Sequence, residues 1–221
     1  MNVVLFDLDN TLFDRSGAFR TWATAFAHER GYGPDAIEWL VAADEDGFAD
    51  RRRLWSRAAA RFGLIEPVEV LVAEARTQYL DLLEPDPSVL ASLSDLRRAD
   101  WKTCVVTNGP GAHQHEKAKR LDILGHVDAF CASGDLGIAK PDSRIFFEAL
   151  RRVCDGLDER HTGARWMVGD SPTADIGGGR TVGLQTIWMH RGRTWRDQDG
   201  PPPHHAASDV PEAVSCILNP T

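Results

Sequence analysis

No apolar run in this chain approaches the roughly 20 residues that a membrane-spanning helix requires. The N-terminus also lacks the basic flank and small-residue cleavage site of a signal peptide, so the cytoplasm is the expected location and no membrane partner is expected. Cysteine is scarce. Cys104, Cys131, Cys154 and Cys216 are widely spaced and form no CxxC pair, which argues against a zinc site and against a disulfide framework, and predicts reduced, buried thiols. Positive charge is in deficit, with 25 Lys plus Arg against 33 Asp plus Glu and a formal charge of −8, which disfavours a nucleic-acid partner. No internal repeat is visible.

What is present is an alternation. Five short apolar runs have the character of strands buried on both faces: Val3 to Leu8, Thr103 to Thr107, Val127 to Ser133, Arg165 to Gly169 and Leu184 to His190. Helical spacing separates most of them, through Val89, Leu90, Leu93 and Leu96 before the second and Ile145, Phe146, Leu150 and Val153 before the fourth. Strand alternating with helix predicts an α/β chain with a parallel sheet, whose ligands bind beyond the carboxyl ends of the strands.

The interval from Arg15 to about Glu84 breaks the alternation and reads as four helices in succession. Phe19, Trp22 and Phe26 form a stripe on the first, which Gly31 could end, and Pro34 suits the first turn of the second. Such stripes predict core packing rather than a cofactor box. Near the other end, DQDGPPPHHAASD reads as an exposed loop whose His204 and His205 are solvated. Two basic clusters, Arg51-Arg52-Arg53 and the arginines of HRGRTWR, read as a solvated helix face and a surface loop.

Chemistry gathers at the strand exits. In FDLDNT, Asp7 and Asp9 follow an apolar strand; residues at i and i+2 of a strand share a side roughly 6.5 to 7 Å apart, so both acids are expected to face one place. Like charges there destabilise each other unless a cation or ligand compensates. Thr107-Asn108-Gly109 ends the second run, Gly169-Asp170-Ser171 ends the fourth with Asp175 beyond it, and Lys140 follows the third. Taken singly, TNG suits a tight turn and Lys140 a solvated amine. Taken in order, each after its own strand, they supply carboxylates, an amine, a hydroxyl and free backbone N–H groups, a set suited to Mg²⁺ and phosphate.

DLDNTLFD, TNG, GIAKPDSRIFFEAL and GDSPTADIGGG resemble the four ordered motifs of the haloacid dehalogenase-like (HAD) hydrolase superfamily. The resemblance covers the whole chain and implies a Rossmann-like, three-layer parallel-sheet core over 1–14 and 85–221, with an inserted all-helical type 1 cap over 15–84. For the residues it implies that Asp7 is the nucleophile and Asp9 the acid and base. Thr107 and the Asn108 backbone would bind phosphate, and Lys140 would steady Asp7 and the phosphate. Mg²⁺ would be held by Asp7, the Asp9 backbone carbonyl and Asp170, with Asp175 supporting from behind. The activity implied is a phosphatase acting on a small phosphorylated metabolite through an aspartyl-phosphate. A sugar phosphomutase shares these motifs and stays open. A carbon–halogen hydrolase fits less well, since a halide leaving group needs no proton from a residue such as Asp9, and a phospho-accepting signalling domain would require a long-lived phospho-aspartate.

Overall fold

The structure, a computed structural model, describes residues 1–154 and 163–219. Six parallel strands form one sheet in the order β3-β2-β1-β4-β5-β6. They are β1 (Asn2–Phe6), β2 (Trp101–Thr107), β3 (Ala129–Ala132), β4 (Arg165–Gly169), β5 (Gln185–Met189) and β6 (His205–Ala207). The first five correspond to the five apolar runs. β6 lies inside the stretch expected to be a loop, because it is three residues long and follows three prolines, too short for an alternating pattern to register. It pairs in parallel with β5, Ile187 opposite His205.

The chain divides into two compact units, Met1–Phe13 with Glu84–Thr221, and Asp14–Leu83. In the first, Val3, Val4, Leu5 and Phe6 are all fully buried, as a central parallel strand with both faces covered requires. The side-chain period of two sends Val3 and Leu5 to one face, where they join Cys104, Val106, Cys131 and Met167. The second unit interrupts the first after β1 and contributes the first four helices of the chain. That second unit is α1 (Arg15–Glu29), α2 (Pro34–Asp44), α3 (Arg51–Phe62) and α4 (Val68–Asp81). The sheet unit carries α5 (Pro87–Arg98), α6 (Gly111–Arg120), α7 (Ser133–Leu136), α8 (Ser143–Val153), α9 (Gly178–Thr181) and α10 (Val210–Leu218). Ile145, Phe146, Ala149 and Leu150 of α8 close over the Val3–Leu5 face, while α5 and α10 pack on each other and on the sheet, completing a three-layer α/β arrangement. Each fully buried Leu, Ile or Phe of this kind contributes on the order of 1.5–3 kcal/mol.

In the helical unit the aromatic stripe is core. Phe19, Trp22 and Phe26 are buried, and Trp55 meets both Trp22 and Phe26 edge-on at 5.7 and 5.5 Å. Pro34 opens α2 at its first turn. The unit's deepest polar feature is Asp44 at the end of α2, which takes both guanidinium nitrogens of Arg15 and a 2.7 Å bond from Arg51. Arg51 is therefore an ion-pair partner rather than part of a solvated face; Arg52 is exposed and pairs with exposed Glu69. Burial alone would raise the Asp44 carboxyl, but Arg15 and Arg51 hold it below its ordinary range. Among the described residues the four cysteines are free, three of them buried and Cys216 partly so.

Candidate active site

The strand order reverses at β1: β2 and β3 lie on one side of it, β4, β5 and β6 on the other. The carboxyl ends of β1 and β4 flank this switch point, where α/β sheets place their ligands. Asp7 follows Phe6 there, its N–H still donating to the Val168 carbonyl at 2.9 Å, so that the strand ladder fixes its backbone. Thr107 is the last residue of β2, Asp170 follows β4, and Lys140 precedes α8.

Lys140 is the centre of the arrangement. Its Nζ donates at 2.6 Å to Asp7 Oδ1 and at 2.6 Å to Asp175 Oδ1, with almost no solvent contact. Burial opposes its charge, but Asp175 and Asp7 together raise its affinity for the proton above the ordinary lysine value. Asp175 reaches this position from a π-helical turn, Pro172–Gly177, and its second oxygen accepts the Ser171 N–H at 2.9 Å. Gly169 makes the approach possible, since a Cβ there would lie 2.3 Å from Asp175 Oδ2.

Asp7, Asp170 and Asp175 bring carboxylate oxygens within 4.8 Å of one another. Lys140 serves Asp7 and Asp175, while Asp170 faces the less buried Arg193 and Arg191. Burial, with Asp175 and Asp9 adding to it against Lys140, pushes the Asp7 carboxyl up to about 7. Burial and the charges of Asp7 and Asp175, against Arg193 and Arg191, push Asp170 up to about 8. Hard oxygen donors crowded to this degree are the donor set of a divalent cation, so the residues present fit Mg²⁺.

Asn108 and Lys140 lock the two loops together: Asn108 Nδ2 donates to the Lys140 carbonyl at 3.0 Å, and the Lys140 N–H donates to Asn108 Oδ1 at 2.9 Å. The Asn108 side chain is thereby committed. Thr107 is buried with its hydroxyl accepting from Gln114 Nε2 at 2.5 Å.

Three features escape the sequence reading. The carboxylates of Asp7 and Asp9 are held by different lysines, Asp7 by Lys140 past the end of β1, although the Asp9 charge still helps to raise Asp7. Asp9 instead accepts from Lys117 Nζ at 2.5 and 2.7 Å and from Gln114 Nε2 at 2.9 Å. Gln114 and Lys117 both follow TNG on one face of α6 at a spacing of three, a local signal that the strand-exit pattern does not contain. The arginines of HRGRTWR are also not a bland loop: Arg193 donates to the Asp170 carbonyl at 2.7 Å and to its Oδ2 at 3.2 Å, and Trp188 Nε1 donates to the same carbonyl at 2.9 Å.

The model of the haloacid dehalogenase-like hydrolase family matches residues 1–183. The chain belongs to this family. Among its curated relatives, a glyceraldehyde 3-phosphate phosphatase of Methanopyrus kandleri is 30% identical over 205 residues, covering 87% of this chain and 85% of the relative. A phosphoserine phosphatase of Thermus thermophilus is 29% identical over 194 residues, covering 85% and 75%. The HAD-hydrolase YfnB of Bacillus subtilis, solved bound to magnesium, superposes with a TM-score of 0.75 at 23% identity, over 99% of this chain and 98% of that one, which shows the shared fold of this HAD-like hydrolase.

Proposed function

We propose that this HAD-like hydrolase is a magnesium-dependent phosphatase that cleaves a small phosphorylated metabolite through an aspartyl-phosphate on Asp7. The observation that carries this reading is the acid-rich cluster at the switch point, with Lys140 bridging Asp7 and Asp175. As a phosphoric monoester hydrolase it is in the company of relatives named as phosphatases.

Asp7, Asp170 and the Asp9 carbonyl would hold the metal, with Asp175 braced behind them by Lys140 and Ser171. When bound, magnesium supplies the positive charge that lets an anionic phosphate approach anionic carboxylates. Lys140 fixes the Asp7 oxygen for in-line attack, so that one difficult displacement becomes two easier ones. Thr107, whose oxygen accepts from Gln114 and whose hydroxyl makes only a long 3.5 Å bond to the Asn108 carbonyl, would turn that proton to a phosphate oxygen, and the Asn108 backbone N–H adds a second donor. Asp9 gives a proton to the leaving oxygen and later takes one from water. That role favours oxygen leaving groups over halide.

Hydrolysis of p-nitrophenyl phosphate tests the reading. Exhaustive chelation is expected to silence nitrophenolate release and added Mg²⁺ to restore it; unchanged activity in EDTA would remove the metal from the mechanism. A panel of phosphorylated metabolites then ranks substrates by kcat/KM.

A further inference from the structure

Helix α6 violates the usual division between buried and exposed faces. Its inward residues are Gly111, Gln114, Lys117 and Ala118, so the stripe that an ordinary surface helix fills with apolar side chains holds an amide and an amine instead. Burying both opposes folding unless each is paired, and local rules of this kind are broken mainly where function requires it. Both are paired, and to the same group. Lys117, with 5% of its side chain exposed, chelates Asp9 through both carboxylate oxygens, and Gln114 adds a third bond. Gln114 Nε2 also lies 3.0 Å from the Asn108 carbonyl and 2.5 Å from Thr107 Oγ1, so one amide ties the Asp9 carboxylate to the TNG turn.

We infer that Lys117, assisted by Gln114, is the positioning residue for Asp9, setting the rotamer in which that carboxyl group exchanges protons with the leaving oxygen and with water. The inference rests on the acid and base role of Asp9 proposed above. Asp9 follows the strand end and precedes a left-handed residue, so the ladder that aligns Asp7 does not align it. Its backbone bridges to Phe13, and its carboxylate is held from α6. In the first step an Asp7 oxygen bonds to phosphorus, the bond from phosphorus to the leaving oxygen breaks, and that oxygen takes the Asp9 proton. In the second, a water oxygen bonds to phosphorus, its proton passes to Asp9, and the bond to Asp7 breaks, releasing inorganic phosphate. Lys117 exchanges no proton in either step; it holds the carboxylate in place through both.

Such a role depends on the leaving group, whereas a purely structural pair does not. Phenyl phosphate, whose leaving group needs a proton, and p-nitrophenyl phosphate, whose leaving group hardly does, are compared with magnesium present by rapid quench. Lys117→Met is expected to lower kcat on phenyl phosphate about 100-fold with KM nearly unchanged, while the first-turnover burst of nitrophenolate slows less than about threefold. Lys117→Arg, which keeps a bidentate donor, is expected to recover at least about tenfold of that loss. The double variant Asp9→Asn/Lys117→Met is expected to be no slower than Asp9→Asn alone. Equal losses on both substrates, additive losses in the double variant, or no loss in Lys117→Met would each overturn the inference. If Asp9→Asn itself lacked the leaving-group dependence, the role of Asp9 would fall and this inference with it; that result separates the two failures.

Discussion

Two buried ion clusters, one in each unit, solve the same electrostatic problem in opposite ways. In the helical unit one acid, Asp44, meets two cations, Arg15 and Arg51, and is held below its ordinary range. In the sheet unit Lys140 lies between Asp7 and Asp175 with Asp170 nearby, and Asp7 and Asp170 are pushed up. The difference is that burial and mutual repulsion of the acids outweigh Lys140, Arg193 and Arg191 in the second cluster but not Arg15 and Arg51 in the first. A cluster whose acid is held below its ordinary range by its donors is complete and acts as a staple; one whose acids stay raised despite the cations beside them still favours a further positive charge, and that marks it as a site.

The largest expected effect is on the incomplete cluster. Asp7→Asn is expected to lower turnover at least about 10⁴-fold, because an amide is a poor nucleophile. Its thermal midpoint should stay level or rise, since one of three crowded acids is gone. A marked fall in Tm would mean that Asp7 is a staple like Asp44 and would break the comparison.

Asp44→Ala should do the reverse. Removing the carboxylate that accepts from buried Arg15 and from Arg51 costs about 3–5 kcal/mol, visible as a loss of denaturation midpoint in urea. A loss below about 1 kcal/mol would show that the pair is solvated in practice.

A third test reads pH. The carboxyl of Asp44 is depressed on folding, so its contribution to stability is fully present above the unfolded value of 3.8 and is lost as pH falls through the lower folded value. Urea midpoints measured from pH 6 down to pH 2 should therefore decline less steeply in Asp44→Asn than in the wild type. Parallel curves would assign the acid sensitivity to other groups. The smallest effect is expected at Arg52→Ala, where the exposed pair with Glu69 should change stability by no more than about 0.5 kcal/mol.

Much of the architecture was legible because the signals are local. The run Val3 to Leu8, the Pro34 start and the Phe19, Trp22, Phe26 stripe each carry their periodicity within a dozen residues. Groups at the strand exits were legible too, since a parallel sheet sends all of them to one edge. The pairing of Lys117 with Asp9 was not, because 108 residues separate the two and a lysine in a basic helix looks solvated until its neighbours are known. The same holds for Arg193 and Asp170, and for β6, whose three residues acquire strand geometry only from the waiting edge of β5.

The sequence by itself thus determined the alternation that makes a parallel sheet, the interruption that makes the helical unit, and the identities of the acids at the strand ends, for these follow from side-chain period and order along the chain. Which acid faces which cation was decided only by the tertiary structure. The inward face of α6 brings Lys117 to Asp9 while Asp7 stays with Lys140, and charge pairing over such distances depends on where the folded backbone puts each group rather than on how far apart they stand in the chain.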